Sequence, residues 1–330
     1  MIERNLHILL SITPSLPQSL GRSMENLALA EFTVGLRLHP VRVLALFFVA
    51  LAVVGGSMSA VSAETIRLTE DHRFKRDPVF IQDGSELIFV LLERPEQLRL
   101  MLLSMVDRSV KTIHPDATAS ELEPAFSPNG RYYAFLQSRS PASVGMVIRD
   151  TKDKKDAEIS PEPGFSGMRS PAFSPDNRRV IYAFPAEGRQ HIYSVNTQGT
   201  DRKQLTNSLG INNWPSFSPD GKHILLSSTR NGNYELYVIK ADGSGARRLT
   251  NRPSQELRPR FSPDGRRIAF TSNRDGNFEI YLINTDGSGL KRLTNHPERD
   301  DFPAWHPDGE HLVIVSERAG RHDLYLIEVP

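Results

Sequence analysis

RPRFSPDGRRIAFTSNRDGNFEIYLINTDGSGLKRLTN, from Arg258 to Asn295, decides the fold of this chain. RPRF starts a short strand. The turn after it has Pro263 to fix φ, and Asp264-Gly265 supply the turn chemistry. Arg266 to Ser272 is β-prone and apolar on both sides at its centre, as expected of a strand buried on two faces. Asn273 to Asn277 carries an Asp-Gly hairpin signal, and Phe278 to Asn284 reads as a third strand. Asp286 to Gly289 turns again, and Leu290 to Asn295 forms a polar outer strand. The segment is therefore four antiparallel strands joined by tight loops.

The same phrase is written six times. DPVFIQDG, EPAFSPNG, SPAFSPDN, WPSFSPDG, RPRFSPDG and FPAWHPDG start at Asp77, Glu123, Ser170, Trp214, Arg258 and Phe302, in steps of 46, 47, 44, 44 and 44 residues. A period of this size, built of strands and turns, predicts an all-β chain folded as a six-bladed β-propeller of four-stranded blades. Phe80, Phe126, Phe173, Phe217, Phe261 and Trp305 share one position of the repeat and are expected in the core. The first two copies have drifted: Met101 and Val147 stand where later copies place Tyr193, Tyr237, Tyr281 and Tyr325.

The fourth-strand phrase recurs as KQLTN, RRLTN and KRLTN, from Lys203, Arg247 and Lys291, but the last copy lacks one. An orphan, TIRLT (Thr65 to Thr69), precedes the first blade. This N-terminal strand is expected to complete the last blade beside Leu324 to Ile327 and leave no open ring edge.

Residues 1–63 read as an N-terminal extension and signal peptide. Arg37 and Arg42 precede the apolar run 43–54, and small residues follow up to Ala63, the expected cleavage site. The propeller is then residues 64–330, exported to the periplasm; an uncleaved segment would anchor it in the inner membrane. Initiation near Met24 or Val34 would give the leader an ordinary length. The remaining chain holds 36 basic and 36 acidic residues, which argues against a nucleic-acid partner. With no cysteine, there is no disulfide, thiolate metal site, cysteine nucleophile or lipid-modified cysteine.

Catalytic signals are sparse. Ser166 lies in GFSGM, which is not a nucleophile elbow, and Ser244 and Ser288 are turn serines. His72 and His296 fall in loops between blades, but the histidines recur at turn and edge positions, so no metal or cofactor is expected. The segments linking one blade's outer strand to the next inner strand differ most between copies, and variable loops on a rigid scaffold are where binding concentrates. Arg76, Asp77, Glu123, Arg169, Asn213, Trp214, Arg258, Asp301 and Phe302 are the candidate partner-binding residues. Mixed charge with aromatics suits protein recognition.

FSPDG, followed by S-x-R-[DN]-G-N-x-E-[IL]-Y and RLT, resembles the PD-type (WD-like) propeller repeat of the TolB family across nearly all of residues 64–330. The resemblance implies a six-bladed propeller and a non-enzymatic envelope protein whose mouth binds a Pal-like lipoprotein, and a monomer is expected. Family members carry an α/β domain before the propeller, for which there is no room between Ala63 and the first blade. Related propellers occur in prolyl oligopeptidase-type enzymes and in pectate-degrading lyases with a histidine-held metal. A carbohydrate-active or metal-dependent enzyme using the central channel is therefore the alternative.

Overall fold

The computed structural model describes residues 65–81, 83–140, 143–161, 167–186 and 188–330; the leader, its cleavage site and Ser166 lie outside them. The described residues form strands only, in six antiparallel four-stranded sheets. A short strand β1 (Ile66–Arg67) comes first. Blade one follows with β2 (Lys75–Ile81), β3 (Glu86–Arg94), β4 (Gln97–Ser104) and β5 (Val110–Thr112). Blade two has β6 (Glu121–Phe126), β7 (Tyr132–Ser140), β8 (Ser143–Asp150) and β9 (Lys155–Ile159). Blade three has β10 (Arg169–Phe173), β11 (Arg179–Ala186), β12 (Arg189–Asn196) and β13 (Lys203–Gln204). Blade four has β14 (Asn212–Phe217), β15 (His223–Ser228), β16 (Glu235–Lys240) and β17 (Arg247–Arg248). Blade five has β18 (Glu256–Phe261), β19 (Arg267–Ser272), β20 (Glu279–Asn284) and β21 (Lys291–Arg292). Blade six ends the chain with β22 (Asp300–Trp305), β23 (His311–Arg318) and β24 (Arg321–Glu328).

The core is divided among six clusters, one per seam between blades. Alternate residues of one strand serve opposite seams. In β3, Leu87, Phe89 and Leu91 pack against Val313, Val315, Leu324 and Leu326 of blade six. Ile88 and Val90 of that strand pack against Tyr133, Phe135 and Val147 of blade two. Side chains of a strand alternate between faces, so burial on both faces demands the continuous apolar runs seen in the sequence. Phe80, Phe126, Phe217, Phe261 and Trp305 are half-buried at the edges of their seams, and Phe173 is buried. Met101 and Val147 pair with Phe89 and Phe135, as Tyr281 pairs with Phe270, so the drifted copies keep the register of the others.

The SPDG phrase closes the turn between the first two strands of a blade. In blade five Ser262 Oγ donates to Asp264 at 2.5 Å, and the Gly265 N–H donates to the Ser262 carbonyl at 2.9 Å. Gly265 has φ 72°, which a side chain would strain.

Ring closure follows the expectation. Strand β1 pairs antiparallel with β24, Ile66 opposite Leu326 and Arg67 opposite Tyr325. Its side chains reproduce a pattern seen where the chain is continuous. Arg248 Nε donates to the Thr250 carbonyl, Arg248 donates to Glu235 at 2.9 Å, and the Leu236 N–H donates to Thr250 Oγ1 at 2.9 Å. Arg292, Thr294 and Glu279 repeat this in blade five. At the closure Arg67 donates to the Thr69 carbonyl at 2.9 Å and to Asp323 at 2.6 Å, and the Leu324 N–H donates to Thr69 Oγ1 at 3.1 Å.

Lys75 adds a device specific to this seam. It is fully buried, and its Nζ donates to Asp323 at 3.2 Å, to Asp71 and to the His322 carbonyl. Burial pushes Asp323 up, but hydrogen bonds from Arg67 and Thr69 and the charge of Lys75 outweigh it, holding the carboxylate below its ordinary range.

Candidate functional site

The candidate site grows out of a repeated irregularity. In every blade the innermost strand loses register with its neighbour around the repeated proline. Asn213 pairs with Ser227 and Ser216 with Leu225, so three steps on β14 match two on β15. The other inner strands do the same. Each therefore carries a β-bulge, which bends the strand and re-aims a side chain. The inner strand has only one paired neighbour, so a proline without an N–H is tolerated there. The residue before each proline adopts a left-handed backbone: φ is 51° at Asp77, 47° at Glu123, 52° at Ser170, 49° at Trp214, 51° at Arg258 and 57° at Phe302. Glycine or asparagine would tolerate this conformation, whereas bulky residues there cost about 1–3 kcal/mol each.

All six residues line one cavity at the centre of the ring, together with Val79 and Arg260. The candidate residues expected in connecting loops thus all belong to the inner strands. The loops end just before Lys75, Arg169 and Asn212, so Arg76 and Asn213 are the second residues of their strands.

Around the mouth the side chains form a nearly continuous circuit. The Arg258 guanidinium lies between two rings, 4.1 Å from the centre of Phe302 and 4.9 Å from that of Trp214. Ser170 Oγ donates to Asn213 at 3.2 Å, and its backbone N–H donates to Glu123. Arg76 donates to Glu123 at 3.1 Å and to Asp77 at 2.6 Å, and sits 5.6 Å from the centre of Phe302. Burial works against the charge of Arg76, but Asp77 and Glu123 more than compensate and raise it above the usual arginine value. Glu123 is pushed up, first by burial and then by the charge of Asp77, against the opposing pull of Arg76 and the Ser170 N–H.

Two candidate residues shape the rim from behind. Asp301 is buried and takes hydrogen bonds from Thr271 at 2.8 Å, the Phe302 N–H at 2.8 Å, Arg258 and Arg299. Asn213 is buried between Ser170 and the Trp214 N–H. Arg169 is exposed on the rim.

Sequence reasoning passed over Arg260. Two residues beyond the left-handed position the other blades place Val79, Ala125, Ala172, Ser216 and Ala304. An arginine is the outlier of that series. Its Nη1 donates to the Pro259 carbonyl at 3.1 Å, while its own carbonyl accepts from Trp305 Nε1 at 3.1 Å. Burial lowers its pKa, with Asp77 and Glu123 opposing from across the channel.

The cavity between these groups measures about 30 Å³. That is room for two or three waters, since one needs roughly 10–15 Å³. Small-molecule sites are usually hundreds of cubic ångströms. Among the described residues no cluster of histidine and carboxylate groups could hold a metal. His72 contacts Asp323 and Arg67 at the closing seam, and His296 accepts the Glu298 N–H within its own loop.

Comparison with known proteins places this geometry. No curated protein matches the chain. The family model of the TolB beta propeller domain matches residues 92–258, and that of the Tricorn protease N-terminal beta propeller domain matches residues 234–329. TolB from Acinetobacter baumannii is similar in structure, with TM-score 0.61 and 22% identity over 75% of this chain and 65% of the other. This chain thus spans just under two thirds of that protein. Putative TolB from Agrobacterium tumefaciens gives TM-score 0.62 and 20% identity over 81% of this chain and 97% of the other. An oligogalacturonate lyase from Vibrio parahaemolyticus gives TM-score 0.55 and 14% identity over 82% and 95%. Identities this low carry the fold alone, whereas the TolB family model covers half of the chain and also agrees with the repeat phrases and blade count. The chain belongs to the TolB beta propeller domain family.

Proposed function

We propose that this protein is an exported, non-enzymatic binding module that docks a protein of the cell envelope across the mouth of its channel. The observation that carries the reading is the ring of six left-handed residues, which places Trp214, Arg258 and Phe302 in contact at the opening of the cavity. Tryptophan and arginine in a central, partly desolvated position are the residues that dominate protein interfaces. Conformational strain held in place by the surrounding fold is a mark of functional positions. A Pal-like lipoprotein is the partner that family membership suggests, and a monomer exported by a leader cleaved after Ala63 is the form that suits it. Among the described residues no helix is long and apolar enough to cross a membrane.

The lyase-type reading finds less support. A cavity of about 30 Å³ does not admit a sugar ring. Apart from Arg260, its charged groups are already bonded, Asp77 and Glu123 to Arg76 and Arg258 to Asp301.

Trp214→Ala tests the docking reading. It is expected to abolish capture of the partner, a loss of roughly 2 kcal/mol or more, while the protein stays folded by circular dichroism. Photo-crosslinking in the native envelope from position 169, exposed on the rim, should yield one dominant adduct. Undiminished capture by the alanine variant would sink the reading. Arg258→Glu is the poorer test, because it sets a second carboxylate against buried Asp301.

A further inference from the structure

We infer that the throat of the channel binds a carboxylate, carried on an acidic peptide segment of the docked partner, with Arg260 as its main contact. This rests on the docking reading above and names the chemistry that the mouth would recognise. The argument begins with internal symmetry. Six inner strands bring the same position to the throat, and five place a small or short side chain there. Arg260 alone carries a long cation into that space, and it lines the central cavity with Arg258.

The other charges there are already matched. Arg76 bridges Asp77 and Glu123, and Arg258 pairs with Asp301 at 3.1 Å. Arg260 makes no ion pair among the described residues, and its side chain donates one hydrogen bond, to the Pro259 carbonyl. A guanidinium has five N–H donors, arranged to take both oxygens of a carboxylate. Most of that capacity is unused within the protein.

Size and framing narrow the occupant. The cavity of about 30 Å³ accepts the tip of a side chain or a chain end, not a whole sugar or nucleotide. Trp214 and Phe302, flanking Arg258 at the opening, offer apolar surface to the residues on either side of such a tip. Trp305 holds the Arg260 backbone from the neighbouring blade, so the guanidinium starts from a fixed base. Asp77 and Glu123 line the same cavity and would repel an anion, but Arg76 bonds to both.

The test titrates the purified protein with acetyl-(Gly-Glu)₃-Gly-amide and with its glutamine counterpart, following binding by calorimetry. The glutamate peptide is expected to bind, more weakly as salt rises, and the glutamine peptide roughly tenfold or more weaker. Arg260→Ala should lose the preference, and Arg260→Lys should keep part of it, because lysine retains the charge without the fork. Equal binding of the two peptides, binding of neither, or full preference in a folded Arg260→Ala variant would overturn the inference. Crosslinking from position 169 in the Arg260→Ala background separates the two readings. An adduct that survives at wild-type yield leaves docking intact and removes the carboxylate; loss of the envelope adduct in the wild-type protein itself removes docking.

Discussion

The seam that closes the ring and the mouth of the channel are both crowded with charge, yet they are built on opposite principles. At the seam every charged group answers another. Asp323 takes Arg67, Thr69, His72 and Lys75, and the fully buried Lys75 is held by two carboxylates and two carbonyls. At the mouth, bulky side chains stand on a left-handed backbone, and Arg260 makes no ion pair among the described residues. The seam is organised for persistence, and the mouth keeps binding capacity in reserve.

The largest expected effect lies at the seam. Asp323→Ala takes from buried Lys75 one of its two carboxylates and from Arg67 and Thr69 their shared partner, and should cost about 3–5 kcal/mol, read as a lowered unfolding midpoint in urea. A midpoint within error of wild type would show that the seam does not hold the ring. Thr69→Val comes next, at about 1–3 kcal/mol, because it leaves the Leu324 N–H and an oxygen of Asp323 short of a partner. Thr250→Val removes the equivalent bond within an unbroken blade and should cost a similar amount. A much cheaper Thr69→Val would mean that the detached strand is only loosely seated. Arg67→Ala should cost less than either, under about 1 kcal/mol, since its ion pair is a third exposed.

Acid should act on the two regions with opposite sign. Asp323 has a lowered folded pKa, so its contribution is complete above the unfolded value and is lost as pH falls through the folded one. Glu123 has a raised folded pKa, so its ionised form carries a penalty at neutral pH that is relieved on acidification through that value. Glu123→Gln should accordingly give a slight gain in stability at neutral pH that shrinks towards zero in acid. This is the smallest of the effects, and urea midpoints across a pH series would expose it. A gain that grows in acid would reverse the sign assigned to Glu123.

Much of this molecule could be read before any coordinates. The repeated FSPDG phrase sets a turn that the structure builds with Ser262, Asp264 and Gly265. The orphan TIRLT was legible because Arg67 and Thr69 are the two side chains that its relatives use for their own blades. The site was less legible. A left-handed backbone is ordinarily betrayed by glycine or asparagine, and here it is occupied by Asp77, Glu123, Ser170, Trp214, Arg258 and Phe302. Their place in a strand rather than a loop depends on a bulge, which leaves no compositional trace beyond the proline. Burial of Asp301 and Asn213 depends on partners from neighbouring blades, which local sequence does not specify. Arg260 was readable as the odd member of its column, but repeats draw attention to what they share.

The pairing of Ile66 with Leu326 joins nearly the first described residue to nearly the last. A ribosome releases Ile66 about 260 residues before Leu326, so the strand that finishes the circle must wait until all six blades have been made. Contacts so distant along the chain are slow to find one another. Until then the first blade presents an apolar flank, Leu87, Phe89 and Leu91, with nothing to cover it. The newborn propeller is therefore most exposed to misassociation in the interval before β1 and β24 meet.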